Sequence, residues 1–149
     1  MTDHPSIITR IAIGKLLGFT FGLIVFLIIP FIAPETPLML RIGIVLWYAT
    51  LGAIIGVFGI FTWNPVLQFP LPWWLRSTMI GAWMNFVLVL IAYKELQIMI
   101  FTIFGENGLY VSPFWLVLEG AIVGVVIGYF ATKFGGEGEE TVTEEEELL

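Results

Sequence analysis

The chain is predicted to fold as an all-α, polytopic transmembrane bundle of four helices, and three observations predict it. Four apolar runs lie near residues 11–33, 42–62, 75–104 and 114–133. Each reaches the length of roughly 20 apolar helical residues that a bilayer crossing needs. Charged residues make up 12% of the chain and mean hydropathy is +0.97, whereas soluble domains carry about 25% charged residues. The runs are continuous rather than alternating in polarity. Spanning backbone must satisfy its own hydrogen bonds, so continuous runs mean helices and not barrel strands.

The first ten residues form a short polar lead that contains His4, the chain's only histidine, and ends at Arg10. Span 1 follows to about Ala33, with Pro30 near its far end. It is too long for the apolar core of a signal peptide and lacks a small-residue cleavage pattern, so it reads as an uncleaved span. Pro34 and Pro37 bracket a loop, and Arg41 opens span 2. Span 2 is expected to end at Trp63-Asn64-Pro65, because proline cannot continue a helix and restrains its predecessor. The loop from Asn64 to Trp74 holds Pro65, Pro70 and Pro72, carries no charge and ends in Trp73-Trp74. Tryptophan favours the headgroup level, so this loop is expected to lie extended along the membrane surface.

Span 3 begins near Leu75 and meets Lys94, Glu95 and Gln97. A single helix to Phe104 would bury both charges, which costs at least a few kcal/mol at mid-bilayer. A span ending near Tyr93, followed by an interfacial helix to Phe104, is preferred. Gly105 to Gly108 reads as a turn, and Ser112-Pro113 as a helix start. Span 4 closes at Gly135-Gly136. Two units result: a bundle over residues 1–134 and an acidic, low-complexity, disordered tail over 135–149. The tail ends in Leu148-Leu149 after four acids, which resembles an acidic dileucine sorting signal, but a solvated tail explains it more simply.

The net charge of −6 is a property of that tail, because seven of the twelve acids follow Gly136. Nucleic acid is therefore not an expected partner. With no cysteine, thiolate catalysis and cysteine-ligated metals are absent. No phosphate loop, paired histidines or serine triad pattern is visible, so neither an enzyme nor a cofactor is expected. Arg10, Lys15, Arg76 and Lys133 share one side, against Arg41 and Lys94 on the other. The positive-inside rule then places both termini in the cytoplasm, in a protein of the cell membrane.

Glycines repeat at near four-residue spacing: Gly14, Gly18 and Gly22 in span 1; Gly52, Gly56 and Gly59 in span 2; Gly120, Gly124 and Gly128 in span 4. Such stripes let helix backbones touch, which is what holds helices together in lipid. Antiparallel pairing of span 1 with span 2 gives number sums of 73, 74 and 74, and with span 4 a constant 142. Span 1 is thus expected to pack on either neighbour, or on a second copy of the chain. Glu119, about 9 Å into span 4 from its start, is the outstanding ionisable residue, because intramembrane acids are functional candidates by default. A structural pair with Lys94 is the competing expectation. Asn85, near the middle of span 3, is expected to hydrogen-bond across helices. Asn85 and Lys94 lie on opposite faces of a helix, which weakens a channel reading. The expected role is that of a subunit, scaffold or assembly partner in a membrane complex, with the lipid bilayer and a membrane-protein partner or homo-oligomer as contacts. The alternative is a small oligomeric transporter or channel that uses Glu119.

Overall fold

The computed structural model describes residues 5–66, 68–108 and 111–143. His4 and the acidic dileucine end therefore lie outside the described residues. Among the described residues the principal elements are α1 (Ile7–Ile32), α2 (Leu38–Val57), α3 (Trp73–Ile91), α4 (Tyr93–Phe104) and α5 (Trp115–Gly135). Four of them, all but α4, are long and apolar enough to cross a membrane.

Helix α1 starts earlier than its hydropathy suggests. Ser6 caps it, its Oγ accepting from the Thr9 N–H at 3.2 Å. Arg10 thereby falls inside the first turns instead of ending a polar lead. Pro30 is accommodated within the last turn. Helix α2 passes into a 3-10 turn at Phe58–Ile60. The loop expected to lie extended is a small antiparallel hairpin, with β1 (Trp63–Asn64) paired to β2 (Phe69–Pro70). Asn64 builds its turn, accepting the Val66 N–H on its side chain at 2.9 Å and the Gln68 N–H on its carbonyl at 2.9 Å. Span 3 breaks at Ala92, whose φ of −114° and ψ of 31° separate α3 from α4. The break comes just before Lys94 and Glu95, both exposed, while α4 turns Leu96 and Ile100 into the protein. A turn through Ser112, Pro113 and Phe114 precedes α5, so the helix begins two residues beyond the proline expected to open it.

The helices associate as two tight antiparallel hairpins, α1 with α2 and α3 with α5. In the first, a Cβ on Gly14 would strike the Gly52 carbonyl, one on Gly18 the Tyr48 carbonyl, and one on Gly22 the Val45 Cα. Gly56 meets the backbone of Arg10 and Ile11. Sums of facing numbers are therefore 66 or 67, not 73 or 74. Each α1 glycine faces a residue seven or eight positions earlier in α2 than the expected pairing of all three glycines would give. Backbone carbonyls and small residues accept a glycine as readily as another glycine does, so maximising glycine pairs does not set the register. Gly59, left over by this shift, is the seat of the Arg10 guanidinium.

The second hairpin corrects the other expected pairing. Gly120 faces Gly81 and Asn85, Gly124 faces Ser77, and Gly128 faces Ser77 and Trp73. Gly120, Gly124 and Gly128 of α5 thus serve α3, while α1 also packs on α5, where Gly135 covers Arg10. The two hairpins repeat one another. Gly52-Ala53-Ile54-Ile55-Gly56-Val57 in α2 corresponds to Gly120-Ala121-Ile122-Val123-Gly124-Val125 in α5. Gly14 on Gly52 corresponds to Gly81 on Gly120 in space. Both halves run in the same direction, since each begins with a helix at the same end of the bundle. Between them lies the apolar core of Ile44, Leu51, Ile55, Val123 and Ile127.

The start of the acidic segment is packed. Thr141 is fully buried, and the Gly138 N–H donates to the Gly59 carbonyl at 3.0 Å. Glu137 forms an ion pair with Arg76. Residues 137–143 therefore correct the expectation of a disordered tail. Two buried arginines at that end of the bundle supply a charge that composition alone does not reveal.

Candidate functional site

Three helices bring one polar side chain each to a common point between the hairpins. Asn85 of α3 is completely buried and Tyr48 of α2 nearly so; Glu119 of α5 is half-buried. The Tyr48 hydroxyl donates to Glu119 Oε2 at 2.6 Å. Asn85 Nδ2 lies 2.8 Å from the same oxygen, 2.8 Å from the Leu116 carbonyl and 3.0 Å from the Tyr48 oxygen. Trp47 Nε1 donates to Asn85 Oδ1 at 3.3 Å. Every polar atom of Asn85 is thus engaged, and one carboxylate oxygen accepts from two helices at once. This network ties α2, α3 and α5 together at one level.

The repeat explains why there is room for it. Asn85 occupies in the second hairpin the place of Gly18 in the first: Gly18 lies on the Tyr48 carbonyl, and Asn85 bonds the Leu116 carbonyl. Gly120 supplies the space, since a Cβ there would meet the Asn85 side chain at 2.6 Å. Lys94 does not join this group. It lies exposed on α4, and among the described residues the partners of Glu119 are Tyr48 and Asn85. The turn at Ala92 carries Lys94 away from the α3 axis, and the structural pair with Glu119, expected because both lie in the same half of the bundle, does not form.

A second polar centre closes the end of the bundle where α1 begins. Arg10 is 2% exposed. Its Nε donates to the Gly56 carbonyl at 3.1 Å, and one terminal nitrogen donates to Thr132 Oγ1 at 3.2 Å and to the Gly136 carbonyl. Arg76 donates to the Phe61 carbonyl at 2.7 Å and pairs with Glu137. Arg10 and Arg76 line one small void with Ser77 and Thr132. Sequence reading treats both arginines as topology markers and misses this centre. One signal was there: Arg10 stands four residues before Gly14, on the same stripe as Gly18 and Gly22, so the packed face of α1 must carry it inward.

Among the described residues no group of three metal-ligating side chains comes together. Comparison with known protein families, characterised proteins and solved structures finds no match. The class is set by the four long apolar helices, which are those of a membrane-embedded helical bundle.

Proposed function

We propose that this protein is a non-enzymatic component of a membrane complex: a rigid four-span subunit, scaffold or assembly partner, with its termini in the cytoplasm. The observation that supports this reading is the anchoring of Glu119 Oε2 by side chains of two other helices, Tyr48 and Asn85. A transport site needs an ionisable group that meets water or a solute. Here Tyr48 and Asn85 take up the carboxylate, and the described cavities of any size are apolar or lie elsewhere. The hairpins are held by direct backbone contact, which suits a rigid part more than a moving one. Helix α1 is the least covered of the four spans and presents Leu16, Leu27 and Phe31 outward. That face is the one we assign to a protein partner.

The decisive experiment combines cross-linking with flux. A photoreactive side chain at Leu27 or Phe31, activated in intact membranes, should trap one defined membrane protein or a second copy of the chain. Glu119→Gln protein in liposomes should behave as wild type for protons and small cations. Loss of a wild-type flux in that variant, with unchanged thermal stability, would overturn the reading in favour of transport. Reporter fusions after Lys133 and within residues 35–40 test the orientation and should give opposite readouts.

A further inference from the structure

Glycine contacts draw α1 onto α2 and α3 onto α5, and the seam between the hairpins is left open on one side. Bulky residues border it: Ile54 and Phe58 from the first hairpin, with Met79, Trp83, Phe86 and Val117 from the second. The resulting groove has a volume of about 600 Å³. Trp83 is 65% and Met79 57% exposed along it. At Phe58, Met79 and Ile80 it continues into a second hollow of about 310 Å³, bordered by Trp63, Asn64 and Arg76. Volumes of this size fall within the range of roughly 300–1,000 Å³ typical of small-molecule sites.

The polarity of this cleft changes along its length. Its interior part is wholly apolar, and its outer part ends on a guanidinium beside tryptophan. From Phe86 to Arg76 is ten residues of α3, or about 15 Å at ~1.5 Å per residue. That is half of a hydrocarbon core of about 30 Å, the depth of one leaflet. The charge at the outer end is also unbalanced. Arg10 and Arg76 face each other across the small void, and Glu137 is the carboxylate that pairs there; Glu139 and Glu140 stand exposed outside it. Within this buried cluster two cations stand against one anion.

We propose that the cleft seats one acyl chain of an anionic glycerophospholipid, with the phosphate end held at Arg76. The apolar groove takes the chain, Trp63 lies at the ester level, and the excess positive charge selects an anionic over a zwitterionic headgroup. A partner helix would fill the apolar part equally well, but it has no use for a charged end one leaflet away. Glu137 competes with the phosphate for Arg76 and so moderates the affinity.

The test uses the full chain reconstituted into nanodiscs of phosphatidylglycerol and phosphatidylcholine in equal amounts, then released for native mass spectrometry. The expected result is one retained lipid per chain, phosphatidylglycerol over phosphatidylcholine by at least tenfold. Met79→Trp, which fills the groove from an exposed position, should abolish retention without lowering thermal stability. Glu137→Gln should raise the preference for phosphatidylglycerol, an outcome that a merely structural ion pair would not produce. Equal retention of the two lipids, or retention unchanged by Met79→Trp, would overturn the proposal. So would a photoreactive group at Trp83 that traps protein and no lipid.

Discussion

The two hairpins are built on one plan and differ in what occupies a single level. In α1–α2, Gly18 rests directly on the Tyr48 carbonyl, so the two backbones touch at this level. In α3–α5, Asn85 stands at that level and replaces bare contact with hydrogen bonds to Leu116, Glu119 and Tyr48. The first hairpin depends on the absence of side chains; the second depends on polar groups being fully paired. Both devices hold helices together without a hydrophobic driving force, which lipid does not supply. The Asn85 level also reaches out of its own hairpin and binds the other through Tyr48 and Trp47, as Arg10 does at the end of the bundle through Thr132.

The comparison predicts a ranking of effects on thermal unfolding in detergent. The largest loss is expected from Gly14→Leu and Gly81→Leu, one in each hairpin, since the colliding atoms are backbone carbonyls that cannot turn aside. Each should cost about 3 kcal/mol or more, the upper range for overpacked sites. If one variant proves mild, the two hairpins do not share a register and the repeat is wrong.

Asn85→Leu comes next. It strands the Leu116 carbonyl and the Trp47 and Tyr48 partners, at about 1–3 kcal/mol for each buried group left unpaired. It should also loosen the hairpins from each other, which disulfide trapping between α2 and α3 would report. Stability equal to wild type would show that the second hairpin needs only its glycines.

Glu137→Ala should lower stability by about 1–3 kcal/mol, because it leaves the buried Arg76 without its carboxylate. Truncation after Gly136 should do at least as much, and insertion competence should persist. A neutral result would mean that residues 137–143 rest on the bundle without supporting it.

Glu119→Gln should fall within about 0.5 kcal/mol of wild type, as for substitutions that keep their hydrogen bonds. The glutamine carbonyl can still accept from Tyr48 and Asn85. The smallest effect is expected at Gly43, where nothing lies within 4 Å of an added Cβ. Gly43→Ala should be neutral or stabilise by about 0.4–1 kcal/mol through the unfolded chain. A large loss there would mean that the outer face of α2 is covered by a partner.

The sequence by itself determined the number of spans and their approximate ends, because length and hydropathy are local quantities that a bilayer reads residue by residue. It also marked Asn85 and Glu119, since polar atoms in such runs stand out against their neighbours. What it left open was which faces meet. The α1 glycines accept any small backbone opposite them, so arithmetic on glycine numbers chose a register seven or eight residues away from the one adopted. It likewise assigned the α5 glycines to α1, when they serve α3. Tyr48 could not be singled out, because a tyrosine in a span is ordinary until an acid from another helix arrives at its hydroxyl. Arg10 and Glu137 were misplaced for a related reason: whether a terminal charge faces water or a partner depends on residues 122 positions away for Arg10 and 61 for Glu137. Pairing between helices is a relation between distant segments, and only the packed tertiary structure decides it.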